Sequence, residues 1–206
     1  MIRAVFFDLD GVLTLDRAGS VTSSRYVAEK LGVDYKALLA KKSRFSKAVN
    51  NGDVDNIDVW TSICAEYGAK FDPAWLKGAF ESTPIDPKMI DLAGKLKTKY
   101  KTGIITDNEI DRVNTLAAMH NWDKVFDSIT ISAQVGCTKR EPLIFETAVK
   151  SLGLKPEECV FIDNVSRNIA VAEKFGMTGI FFNDAKRDYS RIEQLAKNIT
   201  MNHNLR

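Results

Sequence analysis

Short apolar runs rich in β-branched and aromatic residues recur along this chain without the polar alternation of a half-exposed strand. They fall at Ile2 to Phe7, Thr102 to Thr106, Cys159 to Ile162 and Thr178 to Phe182, with a weaker one at Ser128 to Ser132. Continuous runs of this kind mark strands buried on both faces, and such sheets are mostly parallel. Parallel neighbours need crossover segments, and helical patterns lie between the runs. Met89, Leu92, Ala93 and Leu96 keep helical spacing behind Asp86-Pro87, an N-cap with proline at the first helical position. Phe145, Ala148, Val149 and Leu152 repeat that spacing, with Gly153 placed to end the helix. Ile169, Ala172 and Gly176 outline a third face. From residue 86 onward the order predicts an α/β fold, a doubly wound parallel sheet.

The alternation stops between about Asp16 and Pro84, where no strand-like run appears. Thr22 precedes Val27 and Leu31, Asp34 precedes Leu38 and Leu39, and Asp72-Pro73 starts another helix. Ile57, Trp60, Cys64 and Tyr67 form an apolar stripe, and Trp60 and Trp75 read as packed core. The sequence therefore divides into an α/β core domain, residues 1–15 and 85–206, and an inserted helical domain, residues 16–84. That insert leaves the chain just after the first strand. It must emerge at the sheet edge where open α/β folds bind ligands, and would serve there as a lid.

Composition narrows the function classes. The 206 residues suffice for one full domain carrying an insert. With 29 Lys and Arg against 27 Asp and Glu, a net charge of +2 predicts no nucleic-acid or membrane partner. Lys97, Lys99 and Lys101 read as a solvated helix face. Lys41, Lys42, Arg44 and Arg17 are placed to reach an anionic substrate, although exposed helix charge is the simpler account of each. Cys64, Cys137 and Cys159 are scattered, which predicts neither a disulfide framework nor a zinc site, and Cys64 and Cys159 read as core. No signal peptide and no apolar stretch of ~18 residues is present, so the expectation is a soluble cytoplasmic protein. His120 and His203 have no catalytic partner in the sequence, and His203 lies in a polar tail. No feature speaks to oligomeric state.

"FFDLDGVL" (6–13) places Asp8 and Asp10 one residue apart where the first strand ends. Asp and Gly make turns, so the pair alone says little. Three further elements arrive at the same edge. "GIITDN" leaves Thr106 at a strand tip, where a hydroxyl can donate to an oxyanion. "CTKREP" sets Lys139 just ahead of a helix, where a fixed ammonium would offset carboxylate repulsion and orient a phosphate. "CVFIDN" ends on Asp163 and Asn164, which with Asp8 and Asp10 supply oxygen ligands suited to Mg²⁺.

In order and spacing these motifs resemble those of the haloacid dehalogenase superfamily, in its branch with a helical cap after the first motif. The match runs through "DLDGVLT" (8–14), Thr106, Lys139 and "DN" (163–164), over essentially the whole length. The resemblance implies a Rossmann-like core with a cap, a Mg²⁺ cofactor and a small phosphorylated metabolite as substrate. It implies Asp8 as the nucleophile that forms an aspartyl-phosphate, and Asp10 as proton donor to the leaving oxygen and then acceptor from water. Thr106, Lys139, backbone N–H groups after Asp8 and the neighbouring Asp107 would line the phosphoryl site. Mg²⁺ would be held by the Asp8 side chain, the Asp10 carbonyl, and Asp163 or Asn164 of the last motif. Asp10 favours phosphatase over dehalogenase, because a halide leaves without a proton.

The sequence departs from the family pattern at Asn164, where many relatives carry a second acid, at Asp107, where Asn is usual, and at Arg140, where proline commonly follows the lysine. A sugar-phosphate phosphotransferase or mutase shares the same residues, and the altered motifs also fit a degenerate phosphate- or Mg²⁺-binding module. Intact Asp8, Asp10 and Lys139 favour the enzyme.

Overall fold

The structure, a computed structural model, describes residues 1–201, with side chains through Lys197. The apolar runs form five strands: β1 (Ala4–Phe7), β2 (Lys101–Thr106), β3 (Ser128–Ile131), β4 (Cys159–Asp163) and β5 (Thr178–Phe181). They pair in the order β3-β2-β1-β4-β5, every pair parallel. The chain thus builds outward on one side of β1 and then returns to build on the other. The crevice beside the carboxyl end of β1 is therefore the switch point where such sheets take ligands.

Helices cover both faces. Val5 and Phe7 of β1 point into a cluster with Met89, Leu92 and Leu96 of α6 (Pro87–Lys97), Val113 and Leu116 of α7 (Ile110–Met119) and Ile192 of α11 (Ser190–Met201). Ala4 and Phe6 point the other way, into Ile144, Phe145 and Ala148 of α9 (Pro142–Ser151) and Ile169 and Ala172 of α10 (Ser166–Phe175). Each large apolar side chain so buried contributes about 1.5–3 kcal/mol. Every position of β1 is buried, which is why no polar residue interrupts it.

Between β1 and β2 lie α1 (Gly19–Leu31), α2 (Tyr35–Ser43), α3 (Ser46–Asn51), α4 (Asn56–Ala65) and α5 (Ala74–Glu81). They enclose their own core of Val27, Leu38, Trp60, Ile63, Phe71 and Phe80. Asp34 and Asp72 cap as their positions predict, accepting from Ala37 N at 3.0 Å and Ala74 N at 2.9 Å. Thr22 does not start α1; the helix begins at Gly19, and the Thr22 hydroxyl donates to Asp16 at 2.8 Å. The stripe on α4 holds at Trp60 and Cys64, with Tyr67 packed against the same core, but not at its first position. Val59, Trp60, Ile63 and Cys64 are buried, while Ile57 is exposed. Lys101 belongs to β2 rather than to a helix face.

The two ends of the insert run side by side. Leu15 N–H donates to Pro84 C=O at 2.8 Å, and Asp86 N–H to Leu13 C=O at 2.9 Å. Arg187 clamps both: its guanidinium donates to the carbonyls of Gly11 and Val12 at 2.9 Å and of Thr14 at 3.3 Å, and pairs with Asp86. All three cysteines are buried, and burial pushes the Cys159 thiol up to about 12. Among the described residues no helix is long and apolar enough to cross a membrane. His120 stacks on Trp122, and His203 lies outside the described residues.

Candidate active site

Parallel register brings the polar strand ends together. Phe7 lies level with Ile104 of β2 and Ile162 of β4, so Asp8 leaves β1 one residue short of Thr106 and beside Asp163. Asp8 N–H still bonds Ile162 C=O at 2.8 Å, and its Oδ1 accepts from Leu9 N at 2.7 Å. Gly11 then reverses the chain with φ +79°, a left-handed conformation that suits glycine. A side chain is excluded there for a second reason, because a Cβ would fall 2.2 Å from Asn164 Nδ2.

Lys139, only 2% exposed, reaches this edge from the segment between α8 (Ser132–Val135) and α9. Its Nζ lies 2.6 Å from Asp8 Oδ1 and 2.8 Å from Asp163 Oδ2. Its backbone N–H donates to Asp107 Oδ1 at 2.7 Å, tying the end of β2 to the same segment. Burial works to lower the Lys139 pKa, but Asp163, Asp8 and Asp107 outweigh it and hold the ammonium charged. Burial pushes the Asp8 carboxyl well up, with Lys139 opposing. Burial likewise raises Asp107. Asp163 Oδ1 accepts from Val165 N at 2.6 Å, and Oδ2 takes Asn168 Nδ2 at 3.0 Å besides Lys139. Its Oδ2 is the oxygen that holds the ammonium. Asn164 turns its amide N–H to Asp184 at 3.1 Å, and among the described residues its Oδ1 accepts no hydrogen bond.

Asp10 points into a different network, built by residues that the sequence reading did not single out. Arg112 of α7, 1% exposed, forks onto it with Nη1–Oδ2 at 3.0 Å and Nη2–Oδ1 at 2.8 Å. Asn108 Nδ2 and Gly19 N–H add contacts to Oδ2 at 2.9 and 3.1 Å. Asn108 also reaches Thr106 Oγ1 at 3.2 Å, so Thr106 accepts there and keeps its own proton to donate. Gly19 permits this packing, since a Cβ at that position would lie 2.8 Å from the Arg112 guanidinium. In the sequence Arg112 reads as one more charge on an amphipathic helix. Contacts distant in sequence bury it, with Asp10 after β1, with Gly19 at the start of α1, and where α5 packs on α7.

Beside Asp10 a cavity of about 90 Å³ opens between core and insert, lined by Ser20, Ser23, Lys42, Asn50, Asp107 and Glu109 among others. Lys42, expected as exposed helix charge, is 3% exposed and faces this cavity. Lys41 and Arg17 do behave as surface charges, pairing with Glu66 and Asp184.

Oxygen donors are available at the ends of β1 and β4: the second oxygen of Asp8 and the Oδ1 of Asn164 accept no hydrogen bond among the described residues. No three carboxylate, imidazole or thiolate side chains are grouped as a ready cation cage among the described residues. This set fits Mg²⁺, which binds through one or two carboxylates and keeps waters and substrate phosphate for the rest.

The chain is similar to known proteins in sequence and in fold. The family profile "haloacid dehalogenase-like hydrolase" matches residues 2–176. Bifunctional epoxide hydrolase 2 of Rattus norvegicus is 28% identical over 217 residues, and this chain, matched over 94% of its length, spans 39% of that protein. Glyceraldehyde 3-phosphate phosphatase of Pyrococcus furiosus is 26% identical over 216 residues, covering 90% of this chain and 82% of the relative. A HAD family enzyme of Bacteroides thetaiotaomicron, bt-2542, solved with magnesium and inorganic phosphate, shares the fold with a TM-score of 0.73 at 21% identity, over 93% of this chain and 99% of the other.

Proposed function

The chain belongs to the haloacid dehalogenase-like hydrolases, and we propose that it is a Mg²⁺-dependent phosphomonoesterase of small soluble metabolites that works through an aspartyl-phosphate on Asp8. The observation that carries this reading is the buried Lys139 ammonium held between Asp8 and Asp163. An isolated buried carboxylate repels a phosphate dianion; one paired with a fixed ammonium can approach it.

Asp8 lies at the end of β1 with Oδ1 fixed by Lys139 and Leu9 N–H, which orients its carboxylate for attack on phosphorus. Thr106 donates its hydroxyl proton to a phosphoryl oxygen, and Lys139 compensates charge on the phosphoryl group as it transfers. Asp10 gives a proton to the leaving oxygen and later takes one from the hydrolytic water. A halide leaving group would not need that second aspartate. Arg112 and Asn108 hold Asp10 at the mouth of the cavity, on the side where a leaving group would sit. Mg²⁺, held by Asp8, the Asp10 carbonyl and Asn164, would screen the charge of nucleophile and phosphate. Residues 16–84 act as the cap that closes over the reaction and excludes water.

Phosphate release from phenyl phosphate, measured with Mg²⁺, with EDTA and in Asp8→Asn, tests this. Metal-dependent release that vanishes in the variant is the expected result. Release that persists in folded Asp8→Asn would contradict it.

A further inference from the structure

Lys42 is unusual among the lysines of this chain. It sits on α2 of the insert, almost wholly buried, and among the described residues makes no hydrogen bond and no ion pair. Its Nζ rests 5.8 Å from the centre of the Trp60 ring, and Lys42 is among the residues that line the cavity beside Asp10. A buried ammonium with unused donors is costly to keep unless something supplies acceptors. Across the same cavity stands Glu109, at the start of α7, whose one oxygen takes the Asn56 amide from the insert. A lone donor and a carboxylate acceptor thus face one small space, one from each side of the cleft.

We propose that Lys42 and Glu109 form the subsite for the leaving group, and that the substrate is the phosphate ester of a small, uncharged, hydroxylated molecule of about three carbons. This rests on the phosphomonoesterase reading of the same site. Three features fix the class. The cavity of about 90 Å³ holds roughly six water-sized atoms, the size of a three-carbon polyol. Its lining is polar, with Ser20, Ser23 and Asn50 beside the charged pair. A hydroxyl is the group that can accept from Lys42 and donate to Glu109 at once. The charges count against an acidic leaving group: Asp10, Asp107 and Glu109 line the space against Lys42, and Arg112 is spent on Asp10. A further carboxylate would meet an excess of its own sign.

The test compares kcat/KM, with Mg²⁺ present, for glycerol 3-phosphate, propyl phosphate, 3-phosphoglycerate, glucose 6-phosphate and phenyl phosphate. The wild-type enzyme is expected to favour glycerol 3-phosphate over propyl phosphate, its equal in length without hydroxyls, by about 10- to 100-fold, the worth of hydrogen bonds to charged groups. In Lys42→Met that ratio is expected to collapse toward one, while thermal melting confirms a folded chain with no loss of stability. Glu109→Gln, which keeps the amide partner of Asn56, is expected to raise the standing of 3-phosphoglycerate relative to glycerol 3-phosphate. Equal loss on both three-carbon esters in Lys42→Met would overturn the subsite, as would wild-type preference for propyl phosphate, 3-phosphoglycerate or glucose 6-phosphate. Turnover of phenyl phosphate alone would overturn the subsite and leave the phosphomonoesterase standing. No release from any ester would overturn that reading and the subsite with it.

Discussion

Replacing Arg112 with Met tests whether Asp10 works from the position the structure gives it. The substitution keeps an unbranched apolar stem, shorter than that of arginine, and removes both N–H contacts to Asp10, at 3.0 and 2.8 Å. Hydrogen bonds to a charged group contribute about 1.5–3 kcal/mol each, and breaking a buried ion pair costs about 3–5 kcal/mol. Asp10 keeps Asn108 and Gly19 as donors and retains some solvent contact, so the lower end applies. The expected loss of stability is about 3 kcal/mol by urea unfolding. The kinetic effect should be the larger sign of function. A proton-transfer group misplaced by about 1 Å loses on the order of 10² in rate, within the 10²–10⁴ that such a group supplies. Because kcat/KM covers steps up to formation of the aspartyl-phosphate, the loss should be greater for propyl phosphate, whose leaving oxygen needs a proton, than for phenyl phosphate. Gly19→Ala should reproduce the pattern without deleting a charge, since its methyl would press on the guanidinium at 2.8 Å. An Arg112→Met enzyme that is less stable but has wild-type kcat/KM on propyl phosphate would make Arg112 a structural residue with no part in positioning Asp10.

Other outcomes follow from neighbouring contacts. Lys139→Met leaves Asp8 and Asp163 facing each other without their shared cation; urea unfolding should show a loss of about 3–5 kcal/mol, and phosphate release should cease. Asn164→Asp sets a second carboxylate beside Asp184, so the metal-free protein should melt lower while calorimetric titration shows Mg²⁺ bound about tenfold more tightly; unchanged Mg²⁺ affinity would remove position 164 from the ligand set. At Asp86, burial works to raise the carboxyl, but hydrogen bonds from Tyr189, Arg187 and Met89 N–H together hold it below the usual range. The folded state therefore favours the carboxylate, a contribution complete above about pH 4 and lost as pH falls through the lowered folded value. Unfolding of the wild type should weaken more steeply below that pH than unfolding of Asp86→Asn, and parallel acid limbs would contradict the assignment.

Much of the sheet is legible because its strands are buried on both faces, and such burial writes itself into local composition. Ala4–Phe7 has no position at which water could be tolerated, and the polar residue that follows marks the sheet edge. Asp8, Thr106, Lys139 and Asp163 could be singled out for the same reason, each being polar where an apolar pattern had just ended or a helix was about to begin. Arg112, Asn108, Lys42 and Glu109 could not. Each stands where a helix surface charge or a loop amide is ordinary, and each is removed from solvent by packing of the insert against the core, a contact between residues far apart in sequence. The same cause misplaced Thr22 and Ile57: the entry of α1 is fixed by Gly19 donating to Asp10, and the buried face of α4 is chosen by the insert's own core. Local pattern reveals which residues want burial, while partner identity depends on long-range docking.

The proposed chemistry places the phosphoryl group on Asp8 during turnover. Acid quenching during turnover of phenyl phosphate, followed by peptide mapping, measures this directly. An acyl-phosphate is expected on the peptide containing Asp8, labile to hydroxylamine and missing in Asp8→Asn. Full turnover with phosphate found on no aspartate, or on a residue other than Asp8, would contradict it.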